Sequence, residues 1–332
     1  MTFRFRIGRP IDKETRRIAL SQIDRAHDAL SRGADLGAAI HDCRKCLKRV
    51  RALLRIVRPG LSAPQFRSAD ARVRDIARGL SASRDRAVAR ATLVAIETRA
   101  GVEPGSFCAA IGLFDGVATD GPDMVDGDAA KTAAAELLDV RDDFAELGRA
   151  SLTRATVLDG FEQGFVAARR HLALAYAAHE EEPMHEWRKR VQRHWRHLQL
   201  VERVWPEEIG ARIAQAEAIS VLIGEHQDLS VLKGLVESGD SGRRLRRIAR
   251  DVIGHCEVRQ GEIRRLARPH GERLFADGAS ALARRIDIYW TAAEHERAEA
   301  KAKLSAGGDT VALGVMKPAR GPATSRQGRL KS

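Results

Sequence analysis

A basic segment that occurs twice sets the strongest limit on how this chain can fold. Residues 40–49 read IHDCRKCLKR, and residues 184–193, which lie 144 positions further on, read MHEWRKRVQR. A histidine, an acid, an arginine and a lysine recur in the same order in both copies. A second pair of similar segments, 80–88 and 223–231, follows at a separation of 143 positions. Because two matched pairs occur in the same order, the sequence predicts two related halves.

Both halves are predicted to be helical. Ala, Arg, Leu and Glu dominate, alternating β-branched stretches are scarce, and prolines lie at segment edges. The predicted helices cover 12–30, 34–58, 65–79, 84–99, 129–148, 153–179, 184–205, 207–224, 229–237, 243–267 and 272–303. The segment 101–128, rich in Gly, Asp and Pro, is expected to be a linker with one short helix at 107–114.

The domain predicted from these helices covers residues 11–303. Its halves are 11–128 and 129–303, and a short extension, 1–10, precedes it. The basic tail, 304–332, has no apolar period and is expected to be disordered.

Composition excludes several classes of protein. The 57 Lys and Arg residues exceed the 45 Asp and Glu residues, so the formal net charge is +12, which favours polyanionic partners. The longest apolar run, 172–178, is far shorter than the ~20 residues that a membrane-spanning helix needs, and the N-terminus lacks the apolar region of a signal peptide. Four cysteines in 332 residues exclude a disulfide scaffold. We therefore expect a cytoplasmic protein with no membrane partner.

Each copy of the basic segment predicts an amphipathic helix. At ~100° per residue, the cations of the first copy fall within about 80° of His41, and apolar residues occupy the opposite side. The cations of the second copy cluster in the same way around His185. The candidate anion-binding residues are His41, Arg44, Lys45, Lys48, Arg49 and Arg55, here called the first basic ridge, and His185, Arg188, Lys189, Arg193 and Arg196, the second basic ridge.

The ridges can be read as ordinary solvated faces or as a binding site. Cations spaced i, i+3 and i+4 on a helix lie close together and repel one another. Because both copies of the basic segment have this unfavourable spacing, we expect the two ridges to bind an anion that relieves the repulsion. Arginine offers a planar fork and lysine a mobile charge, a mixture suited to a flexible phosphate polymer. Because histidine becomes cationic as the pH falls, His41 and His185 predict tighter binding at mildly acidic pH.

The doubled motif resembles the CHAD family, the conserved histidine α-helical domain. The resemblance extends from about residue 12 to residue 300, and its residues are His41, Arg44 and Lys45 with Arg84-Asp85, His185, Arg188 and Lys189 with Gln227-Asp228, and the segment 268–275. It implies an all-α fold of two four-helix bundles, related by a pseudo-twofold axis, with basic helices lining a central channel. It also implies inorganic polyphosphate as the ligand and association with polyphosphate granules.

The halves are not identical. Gln192 stands where the first half has Lys48, so the two ridges differ in charge. Asp85 and Asp228 occupy equivalent places near predicted helix starts, where an acid either orients basic residues or is favoured by the helix dipole. Some CHAD relatives carry a fused triphosphate-hydrolase barrel with a Glu-x-Glu-x-Lys strand. This sequence has neither that motif nor a strand pattern, so the resemblance does not imply catalytic activity for this chain.

The leading hypothesis is a non-enzymatic protein that holds polyphosphate between the ridges. A nucleic-acid-binding helical protein fits the net charge, although the ridges offer almost no exposed aromatic side chains on which bases could stack. A phosphohydrolase, or an accessory protein of one, would need metal-holding carboxylates among the cations, and the ridges lack them. No cofactor is expected, and the oligomeric state stays open.

Two further motifs are read as structural. Cys43 and Cys46 form a Cys-x-x-Cys, but they lie well inside a predicted helix on its apolar side, so we expect buried thiols rather than a redox centre. His194 and His197 have a spacing that could place both on a metal ion. No carboxylate completes a ligand set nearby, and His194 falls on the packed side, so no metal site is predicted.

Overall fold

The computed structural model describes residues 3–33, 35–80, 84–103, 105–107, 127–149, 151–177, 180–238 and 243–311. The side chains at 84–87, 243–245 and 306–311 lie outside this description. Most of the predicted linker also lies outside it, including Cys108 and nearly all of the predicted short helix. The tail beyond residue 311 lies outside it as well. The predicted motif residues Arg84 and Asp85 therefore have a described backbone only.

The described chain is all-α, which confirms the predicted fold class. Its helices are α1 (Ile11–Arg32), α2 (Leu36–Ile56), α3 (Ala63–Gly79), α4 (Arg84–Ala100), α5 (Gly127–Glu146), α6 (Arg154–Ala177), α7 (Glu181–Val201), α8 (Pro206–Ser238), α9 (Arg243–Leu274) and α10 (Ala279–Val311). Within the described ranges there is no strand, and no helix is long and apolar enough to cross a membrane.

The helices that carry the two basic ridges, α2 and α7, have matching lengths. Each contains 21 residues and is followed by a three-residue 3₁₀ helix, Arg58–Gly60 one residue after α2 and Glu202–Val204 directly after α7. The start of α2 is fixed by the Asp35 carboxylate, which accepts hydrogen bonds from the amides of Gly37 and Ala38 at 2.8 and 3.2 Å. This correspondence supports the duplication seen in the sequence, while the pseudo-twofold relation stays a prediction.

Two predicted breaks between helices are wrong. The predicted break between 224 and 229 is absent, because α8 continues to Ser238, so Asp228 lies inside a helix and not near a helix start. A glycine inside a helix costs only about 1 kcal/mol, and buried Ile223 and Leu229 on either side of Gly224 both pack into a core.

The second misplaced boundary is the predicted break between 267 and 272. Helix α9 continues through Pro269 to Leu274. The actual break comes at Asp277, whose carboxylate accepts hydrogen bonds from Arg212 and Arg285 at 2.7 and 3.0 Å. At the other end of the next helix, α10 extends to Val311, past the predicted end at residue 303.

The helices form two groups joined through α2. In the first, α1 and α3 each pack against both α2 and α5. In the second, α7 packs against α6 and α8, α9 packs along α8, and α4 lies against α8 and α9. Contacts of α2 with α6 and α7 bring the two groups together. One buried apolar cluster extends through both groups, and a smaller one lies where α4 meets α8 and α9.

Helix α6 supports both ridge-bearing helices because two of its residues are glycines. A Cβ at Gly160 would overlap the backbone carbonyl of Ile56, at the end of α2. A Cβ at Gly164 would lie 2.7 Å from Nδ1 of His197, on α7. The absence of both side chains therefore lets α6 lie directly beneath the junction of α2 and α7.

Candidate functional site

The two ridge-bearing helices face a common cavity of about 530 Å³. Its lining residues are Lys48, Arg51, Ala52 and Arg55 from α2, and Glu186, Lys189, Arg190, Gln192, Arg193 and Arg196 from α7. Seven of these side chains are cationic and one is a carboxylate. A cluster of like charges around one cavity is unfavourable in isolation. The cavity is therefore strongly electropositive and suited to an anion with several charges.

Two arginines of the α7 wall, Arg193 and Arg196, form no salt bridge within the described part of the chain. Asp70 attracts Arg193 only from beyond ion-pair distance. Burial, reinforced by repulsion from Arg55, Arg190 and Arg51, lowers the pKa of Arg193 to about 10.

Arg196 is the more buried of the two, with 9% of its surface exposed. Burial, then repulsion from Arg49, lowers its pKa to about 10. Its Nη1 donates to the backbone carbonyl of Gln192 at 2.6 Å, and its guanidinium lies 5.3 Å from the centre of the Trp195 ring. Both arginines therefore stay cationic at neutral pH in surroundings that penalise an unpaired charge.

The α2 wall is partly neutralised from behind by Asp70, a buried residue of α3. Arg51 donates to Asp70 from Nε at 3.0 Å and from Nη2 at 3.3 Å, and Arg55 Nη2 donates to it at 2.8 Å. Arg55 also stacks 4.8 Å from the centre of the Phe66 ring. These contacts fix two guanidiniums at the cavity edge, that of Arg51 through a bidentate pair of hydrogen bonds and that of Arg55 through a single one.

The Asp70 contacts predict an acid-dependent part of the stability. Burial alone would raise the pKa of Asp70, but Arg51 and Arg55 together hold it below its ordinary value. A carboxyl whose pKa is lower in the folded state stabilises the fold above its unfolded pKa of about 3.9. That contribution declines as the pH falls through the folded pKa. We expect urea unfolding between pH 5 and 2 to show this decline in the wild type and a smaller one in Asp70→Asn. Equal declines in both proteins would contradict the assignment.

A buried histidine joins the two walls at the floor of the cavity. Nε2 of His197 lies 3.1 Å from the backbone carbonyl oxygen of Ala52, and since a carbonyl only accepts, Nε2 is the donor. Burial, then repulsion from His194 and Arg193, lowers the pKa of His197 well below its ordinary value, so this ring is neutral. The hydrogen bond links α7 to α2 at the point where both line the cavity.

The structure brings together five of the eleven residues predicted for the site. Those that line the cavity are Lys48, Arg55, Lys189, Arg193 and Arg196. The other six, His41, Arg44, Lys45, Arg49, His185 and Arg188, lie on the same two helices but outside its lining.

Several of the six have other contacts. Arg44 Nη1 donates to the backbone carbonyls of Ala77 and Leu80, at 3.2 and 3.0 Å, and so binds the end of α3. His185 hydrogen-bonds through Nδ1 to the side-chain oxygen of Gln227. Arg49 lies 3.4 Å from the Gln22 oxygen, whereas His41 and Lys45 are exposed. The prediction that acid tightens binding through the histidines therefore depends on residues outside the cavity.

Arg51, Arg190 and the acids Asp70 and Glu186 are not among the residues predicted for the site. Arg51 lies one helical turn from both Lys48 and Arg55, so a wheel centred on Lys48 rather than His41 includes it. Arg190 similarly precedes Arg193 by three residues. Asp70 carries no comparable signal, because it comes from another helix.

The remaining candidate residues are buried. Cys43 and Cys46 are free thiols in the core, as predicted; burial raises the pKa of Cys43 to about 12 and also raises that of Cys46. His194 packs among the rings of Phe161, Phe165 and Phe275, and burial lowers its pKa to about 3. Among the described residues, no group of three or more potential metal ligands is present.

A family model matches most of the chain. The family model described as the CHAD domain matches residues 16–237, about two thirds of the chain. The match includes both ridge-bearing helices and ends just before the end of α8, so α9 and α10 lie outside it. No curated protein matches the sequence.

Proposed function

The chain belongs to the CHAD domain family, and from this membership and the cavity between α2 and α7 we propose that it binds inorganic polyphosphate there. The observation that carries the proposal is the pair Arg193 and Arg196, two cations in the cavity wall that form no salt bridge with a described carboxylate. Polyphosphate supplies closely spaced negative charges along a flexible chain, and guanidinium groups bind phosphate oxygens through charge-assisted hydrogen bonds.

The proposal is for binding without catalysis. Phosphoryl transfer requires carboxylates that hold metal ions beside the phosphates. Among the described residues lining the cavity, the one carboxylate belongs to Glu186, and it is paired with Lys189 and Arg190. Phosphate release from polyphosphate over hours with Mg²⁺ or Mn²⁺ would instead favour the phosphohydrolase hypothesis.

The cavity also favours polyphosphate over nucleic acid. Proteins that bind single strands usually place aromatic side chains where successive bases can stack, and none of the described lining residues is aromatic. The proposal extends to a cytoplasmic location at polyphosphate granules, because that is where such a ligand accumulates. A fluorescent fusion that stays diffuse in granule-containing cells would oppose this extension.

We expect polyphosphate binding to weaken steeply with salt. A ligand that neutralises about four cations should give a slope near −3 in a plot of log affinity against log salt, at about −0.7 per phosphate as for a flexible single strand. Fluorescence anisotropy with end-labelled polyphosphate at 50 to 200 mM salt measures this slope.

Competition completes the experiment. RNA added at the same phosphate concentration should displace little of the labelled polyphosphate. Equal displacement by RNA would support the nucleic-acid hypothesis, and an absence of binding at the lowest salt would reject the proposed function.

A further inference from the structure

We propose that Glu186 is an internal counter-ion that competes with the ligand for part of the cavity and thereby limits its affinity. This inference rests on the proposed function. It concerns a residue adjacent to the predicted histidine, and it assigns that residue a role in setting how tightly the polyanion is held.

The contacts of Glu186 place its carboxylate within the cation cluster. Oε1 lies 2.6 Å from Nζ of Lys189, and Oε2 lies 3.1 Å from Nη2 of Arg190. All three side chains line the cavity. The hydrogen bond from Lys189, with smaller contributions from Lys189 and Arg190 charges, lowers the pKa of Glu186, so the carboxylate is ionised at neutral pH.

The cavity cations differ in how readily a ligand can bind them, because those that form salt bridges pair with two different acids. Asp70 holds Arg51 and Arg55 from behind and is not itself a lining residue. Glu186, by contrast, is itself a lining residue, as are the two cations with which it pairs. A phosphate that binds Lys189 or Arg190 therefore competes with the Glu186 carboxylate for their N–H donors.

Replacing the Glu186 carboxylate by a phosphate costs little free energy. Lys189 is 47% exposed and Glu186 is 28% exposed, and ion pairs with this exposure are weak. A polyanion anchored at Arg193 and Arg196 can displace the carboxylate, since its next phosphates are already held nearby. The carboxylate then repels the bound chain, which lowers affinity and favours release.

The test is Glu186→Gln in the full-length protein, with the same labelled polyphosphate. We expect binding at least about threefold tighter, because two weak ion pairs and one repulsive charge are removed. The salt slope should become steeper by about 0.7, the value for one more phosphate contact, since Glu186 no longer neutralises a cavity cation in the free protein. Orthophosphate, which supplies a single phosphate group and no neighbouring ones, should show a smaller gain.

The matched control is Glu182→Gln. Glu182 is exposed, lies one turn earlier on α7, and does not line the cavity, so its substitution removes the same charge without freeing the two cations. Equal gains in polyphosphate affinity in both variants would show that the effect comes from net charge alone, and this result would reject the inference. Unchanged or weaker binding by Glu186→Gln would also reject it. If wild-type protein fails to bind polyphosphate at all, the proposed function fails instead.

Discussion

Replacing Arg193 and Arg196 together by methionine is expected to weaken polyphosphate binding by at least about 100-fold. Each arginine can make charge-assisted hydrogen bonds, which contribute about 1.5–3 kcal/mol apiece. The same substitution should leave the unfolding free energy unchanged or raise it by about 1 kcal/mol or more, because a buried charge without a salt bridge is replaced by an apolar side chain of similar length. Anisotropy titration and urea unfolding measure the two effects.

Opposite effects on binding and stability distinguish a ligand site from a structural ion network. The matched control replaces Arg250 and Arg284, two exposed arginines of α9 and α10 that do not line the cavity. It removes the same formal charge and should change affinity only slightly. Comparable loss in the control would show that binding is spread over the basic surface. A large loss of stability in the double variant would show that the two arginines hold the fold together.

Replacing Gly160 by alanine is expected to destabilise the protein by about 3 kcal/mol or more, at or above the upper end for overpacked sites. The added Cβ would overlap the Ile56 carbonyl, and backbone cannot move aside as a flexible side chain can. Because α6 also supports His197, which bonds to Ala52 in the cavity floor, displacement of α6 should reduce polyphosphate affinity as well.

Gly254→Ala supplies a control with the opposite expected sign. Gly254 lies within α9, and a Cβ there would have nothing within 4 Å. Alanine should therefore stabilise the helix by about 0.5–1 kcal/mol. Urea midpoints for the two variants test the contrast. Similar midpoints would mean that α6 can shift away from α2 at little cost.

The helical fold follows from the sequence where local signals agree. Gly33 and Asp35 separate α1 from α2, and the Ser62–Gln65 capping box begins α3. The continuity of α8 and α9 could not be predicted in this way, because Gly224 and Pro269 are local signals for a break. Burial on both sides of those residues outweighs their intrinsic preference, and burial is a property of the tertiary structure.

The candidate site was predictable to a similar extent. Its two helices and their cationic faces can be predicted from the helical periodicity of the sequence, because periodicity is a local property. Which turns of each helix line the shared cavity does not follow from periodicity. Arg193 lines the cavity, whereas His185, about two turns away on the same helix, does not. The acids that pair with the cations need contacts between helices, as with Asp70, or the choice of one rotamer among several, as with Glu186.

A crystal structure of the protein grown with polyphosphate would locate the bound anion. We expect the chain of phosphates to lie between α2 and α7, with phosphate oxygens within hydrogen-bonding distance of the guanidiniums of Arg193 and Arg196. Polyphosphate bound on the outer surface of α9 or α10, with only solvent between α2 and α7, would contradict the proposed site.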